Sequence, residues 1–108
     1  MYTKQQYLNH EVDHNTYYLD LANYCGLTFM NSLGTDFIQR CKFALDNGDE
    51  HLNSIPLKEW DLKVYQLNNT VKRKVKEYDG YGLTLATGVC MLKAIAKQAV
   101  EKTYPKVK

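Results

Sequence analysis

Apolar residues recur at steps of three and four along most of the chain, the spacing that gathers side chains on one face of an α-helix. Glycine or proline interrupts this pattern at a few points, namely Gly26, Gly34, Gly48, Pro56 and residues 79–82. No stretch alternates apolar and polar residues between hairpin signals, so no strand is expected. The pattern therefore predicts an all-α fold, a small helical bundle of three to five helices in a single domain over residues 1–108.

The first predicted helical segment covers about residues 4–33 and would begin at a capping box formed by Thr3 and Gln6. Its aliphatic face on a helical wheel contains Leu8, Val12, Leu19, Ala22, Phe29, Met30 and Leu33. The pattern continues through Gly26 and stops at Gly34, where glycine suits the position after a helix C-terminus. We expect either one long helix or two helices separated at Gly26.

The second predicted helix is short and lies between two turn signals. Thr35 or Asp36 would cap it, and Asn47 with Gly48 would end it. Its core residues would be Phe37, Ile38, Cys41, Ala44 and Leu45. The polar stretch "GDEHLNS", residues 48–54, is then predicted to form a loop.

The third and last helices each carry a well-defined apolar face. Ser54 and Pro56 would open the third helix, because proline suits a first helical turn. Its core face is predicted to comprise Leu57, Trp60, Val64, Leu67, Val71, Val75 and Tyr78. The last helix would run from about Thr84 to Thr103. Its apolar stripe includes small residues that permit a neighbouring helix to approach closely, namely Gly88, Ala96 and Ala99.

The stretch "HEVDH", which begins at His10, matches the H-E-x-x-H pattern of zinc metalloproteases. On one helix His10 and His14 would project from the same face as two zinc ligands, with Glu11 as general base. The charged Asp13 between the ligands and the missing third ligand argue against a zinc protease. The metal alternative is a non-catalytic site in which His51 joins His10 and His14 around a divalent ion. Apart from that alternative, no metal and no cofactor is predicted.

The first segment carries a second stripe on the side away from its aliphatic face. We call it the histidine–tyrosine stripe, and its predicted partner-binding residues are Tyr7, His10, His14, Tyr17, Leu21 and Tyr24. A surface helix needs only one apolar stripe to join a core, so the second either packs against another helix of the chain or faces a partner. Nine tyrosines against three phenylalanines and one tryptophan agree with either possibility, because tyrosine is enriched in binding surfaces and also lies at the edge of small cores. The sequence leaves both possibilities open.

Charge is distributed unevenly, although the net charge is only +2. Residues 1–55 carry three basic and seven acidic groups, a net −4, whereas residues 56–108 carry eleven basic and five acidic groups, a net +6. Such asymmetry favours an acidic partner or self-association. An alternative site for nucleic acid or another anion lies opposite the apolar face of the third helix and at the start of the last: Lys58, Tyr65, Lys72, Arg73, Lys76 and Thr84.

Several classes of protein are not indicated. Three cysteines without a C-x-x-C spacing argue against a disulfide framework and against a zinc finger. The chain shows no secretory signal and no apolar run of the roughly 18 residues that a membrane span needs, so we expect a cytoplasmic protein without a membrane partner. Neither of the two serines, Ser32 and Ser54, lies in a nucleophile-elbow context, and no catalytic set is complete.

The stretch "GDEHLNSIPLKEWD", residues 48–61, resembles sequences of small uncharacterised phage-encoded accessory proteins. It covers fourteen of the 108 residues and contains no catalytic motif. The resemblance implies a phage accessory protein, and such proteins often bind and block host machinery. With the histidine–tyrosine stripe, it leads us to expect a non-enzymatic protein–protein interaction module, a phage-encoded inhibitor or modulator of a host or defence protein, which could also form a homo-oligomer. Nucleic-acid or nucleotide binding and divalent-metal binding are the alternatives.

Overall fold

The part of the chain that the structure describes contains six helices. The structure is a computed structural model, and it describes residues 4–9, 11–28, 30–76, 78 and 85–105, with their side chains except those of Lys4, His14 and Asn15. The helices are α1 (Lys4–Leu8), α2 (His14–Tyr24), α3 (Met30–Leu33), α4 (Thr35–Asp46), α5 (Leu57–Lys74) and α6 (Leu85–Thr103). These ranges contain no strand, and none of their helices is both long and apolar enough to cross a bilayer. The all-α prediction is confirmed, while α1 and α3 bring the number of helices above the predicted three to five.

α6 lies at the centre of the bundle, because it contacts α2, α3, α4 and α5. Its buried residues are Gly88, Val89, Met91, Leu92, Ile95, Ala96 and Ala99. A helix that touches four others needs a broad apolar stripe, and the sequence predicts such a stripe here. The stripe is less buried at its two ends, since Leu85 is 44% exposed and Val100 is half-buried.

The N-terminal segment forms three helices rather than one or two. The predicted break at Gly26 is present, with a φ of 74° that glycine adopts without strain. A second break separates α1 from α2, because residues 11–13 are not helical. There Asp13 caps α2, and its carboxylate accepts a hydrogen bond of 2.7 Å from the Thr16 N–H. The single long helix is therefore wrong, since an N-cap residue has an extended backbone that a continuous helix does not allow.

The end of α4 and the loop that follows it agree with the sequence prediction, but the predicted cap at Thr35 or Asp36 is wrong, since the N-cap is Gly34 and no side chain caps the helix. The helix buries Phe37, Ile38, Cys41 and Ala44. In the loop, the Asp49 carboxylate accepts hydrogen bonds from the N–H groups of Asn53 and Ser54 and from the Ser54 hydroxyl. These bonds, chiefly those from Ser54, hold the pKa of Asp49 below its usual range. The loop thus has a defined turn that brings Pro56 to the start of α5.

α5 begins directly after Pro56, as predicted, but ends at Lys74 rather than continuing to Tyr78. The backbone of Val75 is extended (φ −114°, ψ 102°). Three cations in the last turn stabilise this C-terminus, because they face the negative end of the helix dipole. Of the predicted core face, Trp60, Val64, Leu67, Val71, Val75 and Tyr78 are buried, whereas Leu57 is 61% exposed and lies on the surface.

The contact between α5 and α6 depends on the absence of a side chain at Gly88. A Cβ atom placed on Gly88 would lie 2.8 Å from both methyl carbons of Val64. This distance is well below van der Waals contact. Valine is β-branched and has little rotamer freedom in a helix, so Val64 cannot easily turn away. The small residue expected from the sequence to permit close approach therefore does so at this crossing.

We expect Gly88→Ala to lower the free energy of unfolding by about 1–2 kcal/mol, because overpacking outweighs the gain in helix propensity. Combined with Val64→Ala, the same substitution should instead raise stability by about 1 kcal/mol relative to Val64→Ala alone, since only the propensity gain remains. Urea denaturation of the four proteins measures this coupling. Additive effects of the two substitutions would show that the two residues do not meet.

Candidate functional site

The histidine–tyrosine stripe does not form one surface. Tyr17 and Leu21 are 3% and 1% exposed, whereas Tyr24 in the last turn of the same helix is 63% exposed. The half-buried Tyr7 stacks on Tyr17 with 5.2 Å between ring centroids. Of the two possibilities left open by the sequence, packing within the chain therefore applies to Tyr7, Tyr17 and Leu21. Among the stripe residues whose side chains the structure describes, Tyr24 alone is exposed to a partner.

Part of the tyrosine excess belongs to the core. The ring of Tyr17 also meets Tyr18 edge to face at 5.2 Å, and Tyr18 meets Tyr78 at 6.4 Å. Tyr78 lies beyond the end of α5, where its hydroxyl donates a 2.7 Å hydrogen bond to Asn68 Oδ1. These rings join the N-terminal segment to the C-terminal end of α5. The high number of tyrosines is thus explained in part by core packing, so it is not by itself evidence of a binding surface.

The stretch "HEVDH" does not lie on one helix. Glu11 is in the non-helical connection, Asp13 is the N-cap, and His14 is the first residue of α2. The one-turn spacing that would align two zinc ligands is therefore absent from this stretch. His10 and the side chain of His14 lie outside the described residues, and His51 is exposed in the loop before α5. Within the described part, no group of three potential ligands is assembled, and the three-histidine site stays a prediction.

The predicted basic residues of α5 do lie together. Lys58, Tyr65, Lys72 and Arg73 are exposed, on the side of the helix opposite its buried residues. With a rise of 1.5 Å per residue, Lys58 and Lys72 are about 21 Å apart along the helix axis. Between them lie Leu62 and Tyr65, which are 56% and 66% exposed. These five residues form a surface that we call the α5 outer face, with cations at both ends and an apolar centre.

Two predicted members of the anion site lie apart from the helix. Lys76 is exposed and lies two residues beyond the last residue of α5. It is therefore close to Lys72 and Arg73 in sequence. Thr84 lies outside the described residues. The basic cluster therefore stands on α5 and the two residues after it.

The cations of this surface are distinguished by their lack of protein partners. Among the described residues, Lys58, Lys72 and Lys76 have no hydrogen bond or ion pair, and Arg73 has only a 3.4 Å hydrogen bond to Thr70 on its own helix. Most other cations are engaged: Arg40 with Glu59, Lys42 with Asp46, Lys63 with Leu33, Lys74 with Cys25, Lys93 with Asn53 and Lys102 with Thr28. The charge of the α5 outer face is thus available to a ligand.

The acidic residues of α5 reduce this charge only in part. Glu59 is paired with Arg40 of α4, and the hydrogen bonds from that guanidinium hold the pKa of the Glu59 carboxyl below its usual range. Its negative charge is therefore directed toward α4 rather than toward the outer face. Asp61 is exposed near Lys58 and remains the one acidic neighbour of this face within α5.

A polar groove runs along one flank of the outer face, between α3 and the C-terminal half of α5. Its volume is about 790 Å³, and it is lined by Ser32, Gln66, Asn69, Thr70, Lys72 and Arg73. Ser32 stands on the α3 side, where its hydroxyl donates to the carbonyl of Gly26. The other lining residues come from α5. The groove therefore adds neutral hydrogen-bond donors to the cations of the α5 outer face.

Sequence patterns identified the cations and Tyr65 but missed Leu62 and the neutral residues of the groove. Part of the signal was present, because Gln66, Asn69 and Arg73 follow one another at steps of three and four residues on one side of α5. Ser32 could not have been found in this way. It belongs to another helix, and only the tertiary fold brings it to the groove.

No protein-family model, no curated protein and no solved structure matches this chain. Function is therefore inferred from the geometry and charge of the molecule itself.

Proposed function

We propose that the protein is a non-enzymatic binding protein that takes single-stranded nucleic acid on the α5 outer face. The observation that carries the proposal is a set of exposed cations on that face that form no ion pair within the described residues, namely Lys58, Lys72 and Arg73. They lie on both sides of an exposed aromatic ring. Nucleic-acid affinity comes mainly from such cations, because they replace the counterions of the phosphate backbone. The rest of the described surface has fewer unpaired cations, so we expect the strand to bind preferentially along the α5 outer face.

The apolar centre of the face favours a single strand over a duplex. Tyr65 is 66% exposed and has Leu62 beside it, one helical turn away. In a duplex the bases are paired and stacked, so their faces are not accessible to a side chain. An unpaired base can stack on a tyrosine ring, and such stacking contributes about 1–3 kcal/mol per base. The separation of about 21 Å between the terminal cations leaves room for bases at the centre while phosphates meet the ends.

The experiment is a fluorescence-anisotropy titration with a labelled poly-thymidine strand of about 12 nucleotides and with a duplex of equal length. We expect the single strand to bind more tightly. Tyr65→Ala should weaken binding by about 5–100-fold, because the stacking surface is lost, while Tyr65→Phe should bind nearly as well as the wild type. Phe43→Ala is the matched control, since Phe43 is 71% exposed on α4. A preference for the duplex, or equal binding by Tyr65→Ala and wild type, contradicts the proposal.

A protein partner is the second candidate. It corresponds to the interaction module expected from the sequence, and its supporting observation is the exposure of Leu57, Leu62 and Tyr65 along α5. Aromatic and aliphatic side chains surrounded by charges are common in protein interfaces. A partner of this kind would be acidic, in keeping with the cations around Tyr65. The affinity of such a protein partner would fall less steeply with salt than that of a nucleic acid, because part of it comes from apolar contacts with Leu57, Leu62 and Tyr65.

A further inference from the structure

The groove beside the α5 outer face differs in chemistry from two other cavities of the molecule. A cavity of about 360 Å³ at the start of α4 includes the acidic Asp36 and Glu59 in its lining. A second, of about 640 Å³ between α4 and α6, includes Asp46, Glu50 and Glu101. The groove of Ser32, Gln66, Asn69, Thr70, Lys72 and Arg73 contains no carboxylate and no apolar side chain. Its lining offers positive charge and neutral donors, which is the composition an anion requires.

Among the described residues, four of the six that line the groove have a side-chain donor without a partner in the protein, namely Gln66, Asn69, Thr70 and Lys72. Within the described residues, the side-chain amides of Gln66 and Asn69 have no hydrogen-bond partner. Thr70 accepts the bond from Arg73, so its own hydroxyl hydrogen remains available. Ser32 donates its hydrogen to Gly26 and serves as the opposite wall. Two amides, a hydroxyl, an ammonium and a guanidinium therefore surround one space.

The groove also lies next to Tyr65 on the surface of α5. Asn69 follows Tyr65 by four residues, so the two side chains are neighbours on the surface of α5. Arg73 follows Asn69 by four residues in turn. A nucleotide whose base lies on the Tyr65 ring would thus have the groove one helical turn away from that base.

We propose that this groove is a phosphate-binding site, and that in a bound strand it holds the backbone phosphate next to the base on Tyr65. Its place along a bound strand rests on the proposed function. The phosphate oxygens accept hydrogen bonds from the amides of Gln66 and Asn69 and from the Thr70 hydroxyl. Lys72 and Arg73 balance the negative charge, and the planar guanidinium suits two phosphate oxygens at once.

Asn69→Asp and Gln66→Glu test the proposal with almost no change in shape, because each replaces an amide by a carboxylate of equal size. Each variant turns a donor into a negative charge inside the groove, and we expect poly-thymidine affinity to fall about five- to tenfold. Gln39→Glu is the matched control: it adds the same charge at an exposed position on α4, outside the groove lining. The affinity of the Gln39→Glu variant for poly-thymidine should stay within about twofold of that of the wild type, since a distant charge is screened by salt.

A second measurement uses sodium pyrophosphate alone and follows the side-chain amide signals by NMR. Saturable shifts of the Gln66 and Asn69 amides, without a shift of the Gln39 amide, support the phosphate site. If the strand binds but Asn69→Asp behaves like Gln39→Glu, the groove assignment is overturned while the proposed function stands. If no strand binds and the groove amides still shift, the proposed function fails and the phosphate site stands. If no amide shifts with pyrophosphate, the phosphate site is overturned.

Discussion

Tyr17→Ala is expected to lower the free energy of unfolding by about 3 kcal/mol or more. The side chain is 3% exposed, and its ring contacts Tyr7 by stacking and Tyr18 edge to face, both at 5.2 Å between centroids. Removal of a buried aromatic ring loses its apolar burial and leaves a cavity, which together cost about 3–5 kcal/mol in protein cores. The loss of the two ring contacts adds to this cost. Urea or thermal denaturation followed by circular dichroism measures the change.

Tyr24→Ala is the matched control for this prediction, because it removes the same ring from the same helix. Tyr24 is 63% exposed, so its removal should change the free energy of unfolding by no more than about 0.5 kcal/mol. The comparison tests directly whether the histidine–tyrosine stripe is divided between core and surface. Equal effects of the two substitutions would mean that both tyrosines share one environment, as a continuous contact surface would require.

Neutralising the α5 outer face is expected to produce the largest effect on binding. Of the four cations of the predicted anion site, the triple variant Lys58→Gln, Lys72→Gln, Arg73→Gln leaves only Lys76. Each phosphate contact with a single strand adds about −0.7 to the slope of log affinity against log salt concentration, so the slope should change from about −2.8 to about −0.7. At about 0.1 M salt the same relation gives a loss of affinity of roughly a hundredfold.

The control for net charge is the triple variant Lys42→Gln, Lys93→Gln, Lys97→Gln. These three lysines lie on α4 and α6. The variant therefore loses the same number of positive charges as the first triple variant, but at other positions. We expect its salt slope to remain near that of the wild type, because the contacts on α5 are unchanged. Equal losses in both triple variants would show that affinity follows net charge rather than the α5 outer face. Circular dichroism checks whether both variants keep their helices, as we expect for substitutions of exposed or half-buried lysines and arginine.

The helices that the sequence predicts best are those whose limits are set by neighbouring residues. α4 follows Gly34 and ends before Asn47–Gly48, and α5 starts directly after Pro56. Cap and turn residues act within a few positions, so their effect can be read locally. The end of α5 was harder to predict. The apolar period continues through Val75 and Tyr78, and both are buried, but they reach the core from beyond the end of the helix, where the backbone of Val75 is extended.

The first segment shows where periodicity is insufficient. Two stripes were present, and the aliphatic one was predicted to form the core face. In the structure Leu8, from that face, is 50% exposed, while Tyr17 and Leu21, from the other stripe, are buried. The break at Asp13 interrupts the helix between α1 and α2, so one helical wheel does not describe both helices. An N-cap such as Asp13 needs only one hydrogen bond. Because the apolar pattern continues across Asp13, periodicity alone does not reveal the break.

The sequence by itself determined the all-helical class, the apolar face of α5 and the basic face opposite it, because each follows from residues three or four positions apart on one helix. The tertiary structure decided which tyrosines are buried and which cations remain unpaired. It also placed Ser32 of α3 across the groove from Gln66 and Asn69. Many of these outcomes depend on contacts between different helices or loops, some between residues 30 or more positions apart, such as Lys63 with Leu33 and Lys74 with Cys25. No local pattern specifies such contacts, since they exist only after the helices have packed.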